Sequence, residues 1–247
     1  MNPGGHTHGG LGGAVLRPLR SGRASYAVVG LVLGLWVAVE AAGGPDAVSG
    51  TYRIFGLSRE GLFSGFVWEP LTYAFLHGSW VHVLANALLL LMFGGRVEQI
   101  LGWWPALKIL LGGIVLGGVL HLLLTPGGEQ SGILVGASGG VMAWLLALTT
   151  LSPESRMWPL PVSGRNIGLG LLIGSGLLAL CHPALGLPGF SALGRFAINA
   201  GMASLIGVGH ACHFGGGLAG WIAARWILRP RLVTRSDLLR ARARREG

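Results

Sequence analysis

Apolar residues in this chain run in long unbroken blocks, and polar residues gather between them. Six blocks are long enough for helices that cross a bilayer core, which takes about 20 residues each. They lie near 26–44, 79–97, 104–124, 133–151, 166–186 and 204–228. Together they fill most of the chain, so the pattern predicts a single all-α, polytopic membrane domain over 26–228. A glycine-rich, basic tail over 1–25 reads as disordered, and a second basic tail occupies 229–247. The stretch from about 45 to 78 is too apolar for a solvated loop and too interrupted for a straight span. It is expected to lie partly in the membrane, with Trp68 and Tyr73 at the interface.

Small residues recur four apart at Gly30 and Gly34, Gly113 and Gly117, Gly170 and Gly174, and Gly216 and Gly220. Lipid supplies no hydrophobic force between helices, so close backbone approach is the route to tight packing. The spacing therefore predicts a compact six-helix bundle.

Composition strengthens the membrane reading. The chain of 247 residues is 51% hydrophobic and 11% charged, where soluble domains carry about 25% charged residues. A net charge of +9 raises nucleic acid as a partner, but the arrangement of the charges speaks against it. Arg17, Arg20 and Arg23 precede the first span, and the largest basic group follows the last. Arg96, Lys108, Arg156 and Arg165 flank the connections between spans two and three and between four and five. The opposite loops hold Arg53, Arg59 and Arg195, but also Asp46, Glu60, Glu69 and Glu129. This is the positive-inside pattern, with both termini in the cytoplasm. The basic tails are topology signals in contact with anionic lipid. The N-terminus lacks the apolar core and cleavage site of a signal peptide. Arginine outnumbers lysine so heavily (Lys108 is the sole lysine) that a GC-rich genome, and hence a bacterial inner membrane, is expected. Cys181 and Cys212 lie in separate apolar segments without disulfide or zinc-knuckle spacing.

That topology starts helices two, four and six at the outer face. His82 and Asn86 then share one face of helix two, at i and i+4. Ser138 falls five residues into the fourth block and His213 nine into the sixth, depths of about 8 Å and about 13 Å at 1.5 Å per residue. Unpaired polar groups in lipid are costly, so residues at similar depth should face one another or a water-filled cavity. A serine hydroxyl becomes a nucleophile when an imidazole removes its proton. A triad would add a carboxylate, but no Asp or Glu lies at this depth on helices two, four or six. The candidate is therefore a dyad of Ser138 and His213, with no metal and no cofactor. His82, the Asn86 amide and the Ser138 backbone N–H are the donors available to an oxyanion. Glycines beside Ser138 leave room for a substrate backbone.

Two other readings of these residues stand beside it. The His82–Asn86 and His210–His213 pairs can be polar packing glue between helices. Alternatively, His77, His82, His210 and His213 can form a metal site or line a transporter, although no H-E-x-x-H occurs and GASG (Gly136 to Gly139) is then unexplained.

From about Trp68 to Trp221 the chain resembles the rhomboid intramembrane serine proteases. HVLAN (His82 to Asn86) is similar to the family's H-x-x-x-N helix, and GGRVEQILG resembles the segment that closes helix two. GASG resembles the nucleophile motif G-x-S-G, and HFGGGLAG (His213 to Gly220) the helix-six pattern H-x-x-G-x-x-x-G. The resemblance implies Ser138 as nucleophile, His213 as general base and then acid, and His82 with Asn86 in the oxyanion hole. It also implies cleavage of membrane-anchored proteins near the outer face of their spans. Substrate would enter between helices two and five, with the region near Phe190 to Phe196 as a cap. Trp68-Glu69 departs from the Trp-Arg of many members, which bears on how the first loop is anchored. Relatives that bind membrane helices without cleaving them usually lack the serine or histidine; this chain has both. His77, His121, His182 and His210 are expected to be structural, His77 beneath the first loop.

Overall fold

The structure is a computed structural model and describes residues 22–125, 132–156, 161–207 and 209–229. Most of the two basic tails, and Glu129, lie outside the described residues. Among the described residues the chain is helical, without named strands.

Helix α1 spans Arg23–Ala41. Three short helices then build the first loop: α2 (Ser49–Phe55), α3 (Arg59–Phe63) and α4 (Glu69–Thr72). Helix α5 runs from Trp80 to Leu101, with one wide π-type segment at Leu90–Gly94. Gly102, at φ +84°, turns the chain sharply into α6, Trp103–Leu124. Pro105 sits in the first turn of α6, where a missing N–H costs nothing. The remaining main helices are α7 (Ser138–Leu151), α8 (Gly164–Leu180), α9 (Phe190–Ala197) and α10 (His210–Ile227). By length and composition α1, α5 and α6 can cross a membrane; α7 and α8 are apolar but shorter.

The helix ends have identifiable chemistry. The buried Glu98 carboxylate accepts from the Ala24 and Ser25 amides (3.0 and 2.7 Å) and the Ser25 hydroxyl (2.5 Å). The end of α5 thereby caps the start of α1, a contact on the order of 1 kcal/mol. Ser79 caps α5 by accepting from the His82 amide (3.2 Å), and Ser163 caps α8 by accepting from the Asn166 amide (3.4 Å).

Helix α7 is the axis of the molecule: every residue from Gly139 to Thr149 is buried. Trp144 is fully enclosed, with its indole N–H donated to the Ala106 carbonyl at 2.8 Å. Around α7 the glycines of α6 and α10 bring backbones together. A Cβ at Gly216 would collide with the Gly139 carbonyl, and one at Gly220 with that of Ala143. A Cβ at Gly113 would strike the Ala143 side chain, and one at Gly117 the Cys212 carbonyl. The other two predicted pairs behave differently. Gly30, Gly34, Gly170 and Gly174 would admit a Cβ into open space, so their spacing is not used for packing among the described residues.

Two predicted blocks also begin later than expected. Residues 133–137 are not helical: Leu134 exchanges backbone hydrogen bonds with Leu57 of the first loop (3.0 and 2.9 Å). The Gly136 amide donates to the Tyr73 carbonyl at 3.0 Å, and Gly136 takes φ +115°. Protein partners thus satisfy this extended backbone, which is how a non-helical segment survives beside lipid. Ser138 is the first residue of α7 and His213 the fourth of α10, in place of the sixth and tenth positions read from the blocks.

Candidate active site

The start of α7 is where the polar groups converge. Ser138 is half-buried, and its own amide lies among the first-turn N–H groups that find no partner within a helix. Gly136, on the turn that leads into Ser138, has the His82 imidazole and the Asn86 amide nitrogen against its Cα. A Cβ there would sit 2.6 Å from His82 Nε2 and 3.5 Å from Asn86 Nδ2. Only glycine combines that φ with that proximity. The i, i+4 spacing on α5 therefore does deliver both side chains to the serine turn. Asn86 is 3% exposed, and its Nδ2 has no hydrogen-bond partner among the described residues.

Helix α10 approaches the same turn from the other side. Cys212, fully buried, places its sulfur against Gly139, and the Gly139 amide donates to it. The neighbouring His213 is half-buried in the first turn of α10, its amide donating to the Gly209 carbonyl at 3.0 Å. His82 and His210 are the imidazoles that interact electrostatically with His213, and the His210 ring lies 6.1 Å from it.

Tyr73 links these pieces and was not singled out as a site residue in the sequence. Expected at the membrane interface, it is instead fully buried. Its hydroxyl donates to the Ile114 carbonyl of α6 (2.7 Å) and contacts the Cys212 sulfur (3.4 Å). Its own carbonyl holds the Gly136 amide. A tyrosine in an apolar run carries no sequence signal for such a role.

The first loop is tied down without an arginine beside Trp68. The Trp68 indole donates to the Ile54 carbonyl (2.8 Å), and the Thr72 hydroxyl to that of Phe55 (2.7 Å). The Arg59 guanidinium donates to the Leu122 carbonyl, and the Tyr52 hydroxyl to that of His77. Glu69 is wholly buried and accepts from the Ser58 amide at 3.0 Å; burial pushes its carboxyl up from the usual range. His77 is also enclosed, its ring 4.9 Å from that of His82, and burial with the neighbouring His82 lowers it to about 4.

Among the described residues the histidines are spread over separate contacts. His77 pairs with His82, and His210 with His213, while His121 and His182 line a separate cavity of about 200 Å³ with His210. Among the described residues no three His, Cys, Asp or Glu side chains could hold a metal ion.

Apolar helices around a fully buried central one define an integral membrane protein, and its uncommon polar side chains converge at the start of that helix. The family model described as the Rhomboid domain matches residues 64–230, more than half of the chain, and the protein belongs to the rhomboid family. No curated protein matches the chain.

Proposed function

We propose that this protein is an intramembrane serine endopeptidase that cleaves membrane-anchored proteins within or near a transmembrane segment. The observation that carries the reading is the convergence on one turn: His82 and Asn86 lie against Gly136, and the helix bearing His213 lies against Gly139, on either side of Ser138.

In this reading Ser138 Oγ attacks the scissile carbonyl while His213 takes its proton. The tetrahedral oxyanion is held by the Ser138 N–H, the Asn86 amide and His82, assisted by the positive end of α7. The C–N bond breaks as His213 returns the proton to the leaving amine, leaving an acyl-enzyme on Ser138. Water, deprotonated by His213, then releases the carboxylate product and restores the serine. No residue of the scheme calls for a metal or cofactor. The six-span topology with both termini cytoplasmic, and a bacterial inner membrane, belong to the same proposal. The orientation rests on the basic residues at 17–23, 96–108, 156–165 and in the C-terminal tail, and the bacterial membrane on the excess of arginine over lysine.

The test is a single-span reporter in liposomes, given wild type, S138A and H213A side by side. Cleavage by wild type that both variants abolish is expected, with fluorophosphonate labelling that S138A removes. Absence of cleavage across several reporters, with labelling indifferent to S138A, would favour a helix-binding role without proteolysis.

A further inference from the structure

The inner end of α10 carries a second polar group far from Ser138. Trp221, Ile222, Arg225, Trp226, Leu228 and Arg229 surround an open cavity of about 550 Å³. The Arg225 guanidinium lies over the Trp221 ring, 5.9 Å from its centroid, and Trp226 is 70% exposed. Thirteen residues along a helix place Trp226 about 20 Å from His213, so this group takes no part in the proposed chemistry.

Its composition selects its occupant. Two guanidiniums beside tryptophan and aliphatic side chains match a molecule with an anionic head and an apolar body. Among the described residues the one salt bridge joins Arg165 to Glu154, so neither Arg225 nor Arg229 is paired with a carboxylate there. The chain's own tail is a poor occupant. Residues 230–247 hold Arg231, Arg235, Arg240, Arg242, Arg244 and Arg245 against only Asp237 and Glu246. A second copy of the chain is no better matched, since the whole sequence has nine acidic residues.

We propose that this cavity is a binding site for one anionic phospholipid. Its phosphate is held by Arg225 and Arg229 in the forked geometry that guanidinium offers, and its glycerol and upper acyl chains lie against Trp226 and Ile222. The two arginines also offset the negative end of α10, so the test must separate lipid selectivity from helix stability.

The experiment uses the full chain in lipid nanodiscs, with bound lipid counted by native mass spectrometry and thermal midpoints followed in parallel. Phosphatidylglycerol is titrated into phosphatidylcholine. Wild type should retain phosphatidylglycerol preferentially and gain stability as its fraction rises. R225Q/R229Q should weaken that preference by about tenfold or more, at roughly a factor of five per arginine, without a change of midpoint in pure phosphatidylcholine. R240Q/R242Q/R244Q/R245Q, which neutralises part of the tail, should keep the preference. R229Q alone, beyond the last turn of α10, repeats the measurement if the double variant is poorly recovered. The proposal falls if R225Q/R229Q retains the wild-type preference, or loses stability equally in both lipids. It falls too if the tail variant abolishes the preference, or if R225Q/R229Q dissolves a dimer seen by light scattering.

Discussion

Asn86 buries an amide donor that pairs with nothing among the described residues, an arrangement that costs stability, on the order of 1–3 kcal/mol for an unsatisfied group. A donor kept in that state is suited to an acceptor that forms only during reaction. Asn86→Leu should therefore leave the thermal midpoint unchanged or higher while lowering kcat by about 10²–10³-fold, the usual loss for one oxyanion donor. A fall in midpoint with kcat retained would assign Asn86 to packing instead. Tyr73 makes the converse case. Tyr73→Phe removes the hydrogen bond to the Ile114 carbonyl, which keeps its own place in the α6 ladder, and the contact with Cys212, so the midpoint should drop by an amount matching about 0.5–1.5 kcal/mol. Cleavage should fall with it, because the Tyr73 hydroxyl and the Cys212 sulfur it contacts lie against Gly139, next to Ser138. Wild-type stability and rate in the variant would refute the linkage. Ser138, His82, Asn86 and His213 stood out in the sequence because polar groups in apolar runs are expensive. Tyr73 and Cys212 did not, since an apolar helix accommodates both without any visible break in pattern.

At the scale of elements, residue spacing and actual contact part company. All four glycine pairs repeat every four residues, yet only those on α6 and α10 meet neighbouring backbones. Periodicity marks a smooth helix face; whether another helix lies on it depends on the whole bundle. Gly220→Ala should thus destabilise by about 1–3 kcal/mol through overpacking against Ala143. Gly30→Ala and Gly174→Ala should be neutral, or stabilising by up to about 1 kcal/mol through helix propensity. Denaturation midpoints of the three variants would decide between contact and spacing. The start of α7 was misplaced for a related reason. An apolar segment that pairs with Leu57 through a single bridge at Leu134 has the same composition as the helix it leads into, so hydropathy alone carries the block back to residue 133. The first loop offers a pH test. His77 sits at about 4 against an ordinary value of 6.5, so below about pH 6.5 the unfolded chain takes up a proton that the folded chain refuses. Stability contributed by the neutral ring is complete above that pH and is lost as pH falls through 4. His77→Gln should flatten the decline of thermal midpoint between pH 6.5 and 4, and identical slopes for variant and wild type would dismiss the role of His77.

For the whole molecule, the proposed function asks how a substrate helix would reach a half-buried serine in the bundle. Helices α6 and α10 are locked to α7 backbone to backbone, which leaves little freedom to part. Helix α8 is held differently. Its start is tied by backbone, Gly164 lying against the Ser152 carbonyl, but beyond that Gly168 meets the Thr149 side chain, Gly176 meets Phe214, and Leu172 meets Gly217. Leu169, Ile173 and Leu177 are exposed on α8, as are Val81, Leu84 and Leu88 on α5. Side-chain contacts with α7 and α10 beyond its first turn, and apolar faces left uncovered on α5 and α8, favour lateral entry between these two helices as part of the proposed function. The start of α5 and the end of α8 belong to the end of the bundle where α7 begins, so a crosslink there would close the shortest path to Ser138. In a Cys181→Ala background, single cysteines at Val81 or Leu84 paired with one at Ile173 or Leu177 should, when oxidised, stop cleavage of a transmembrane reporter. A short soluble ester should still acylate Ser138, since the outer approach stays open, and reduction should restore cleavage of the membrane reporter. Cleavage of the membrane reporter at an undiminished rate in the oxidised protein would show that substrate arrives by another side.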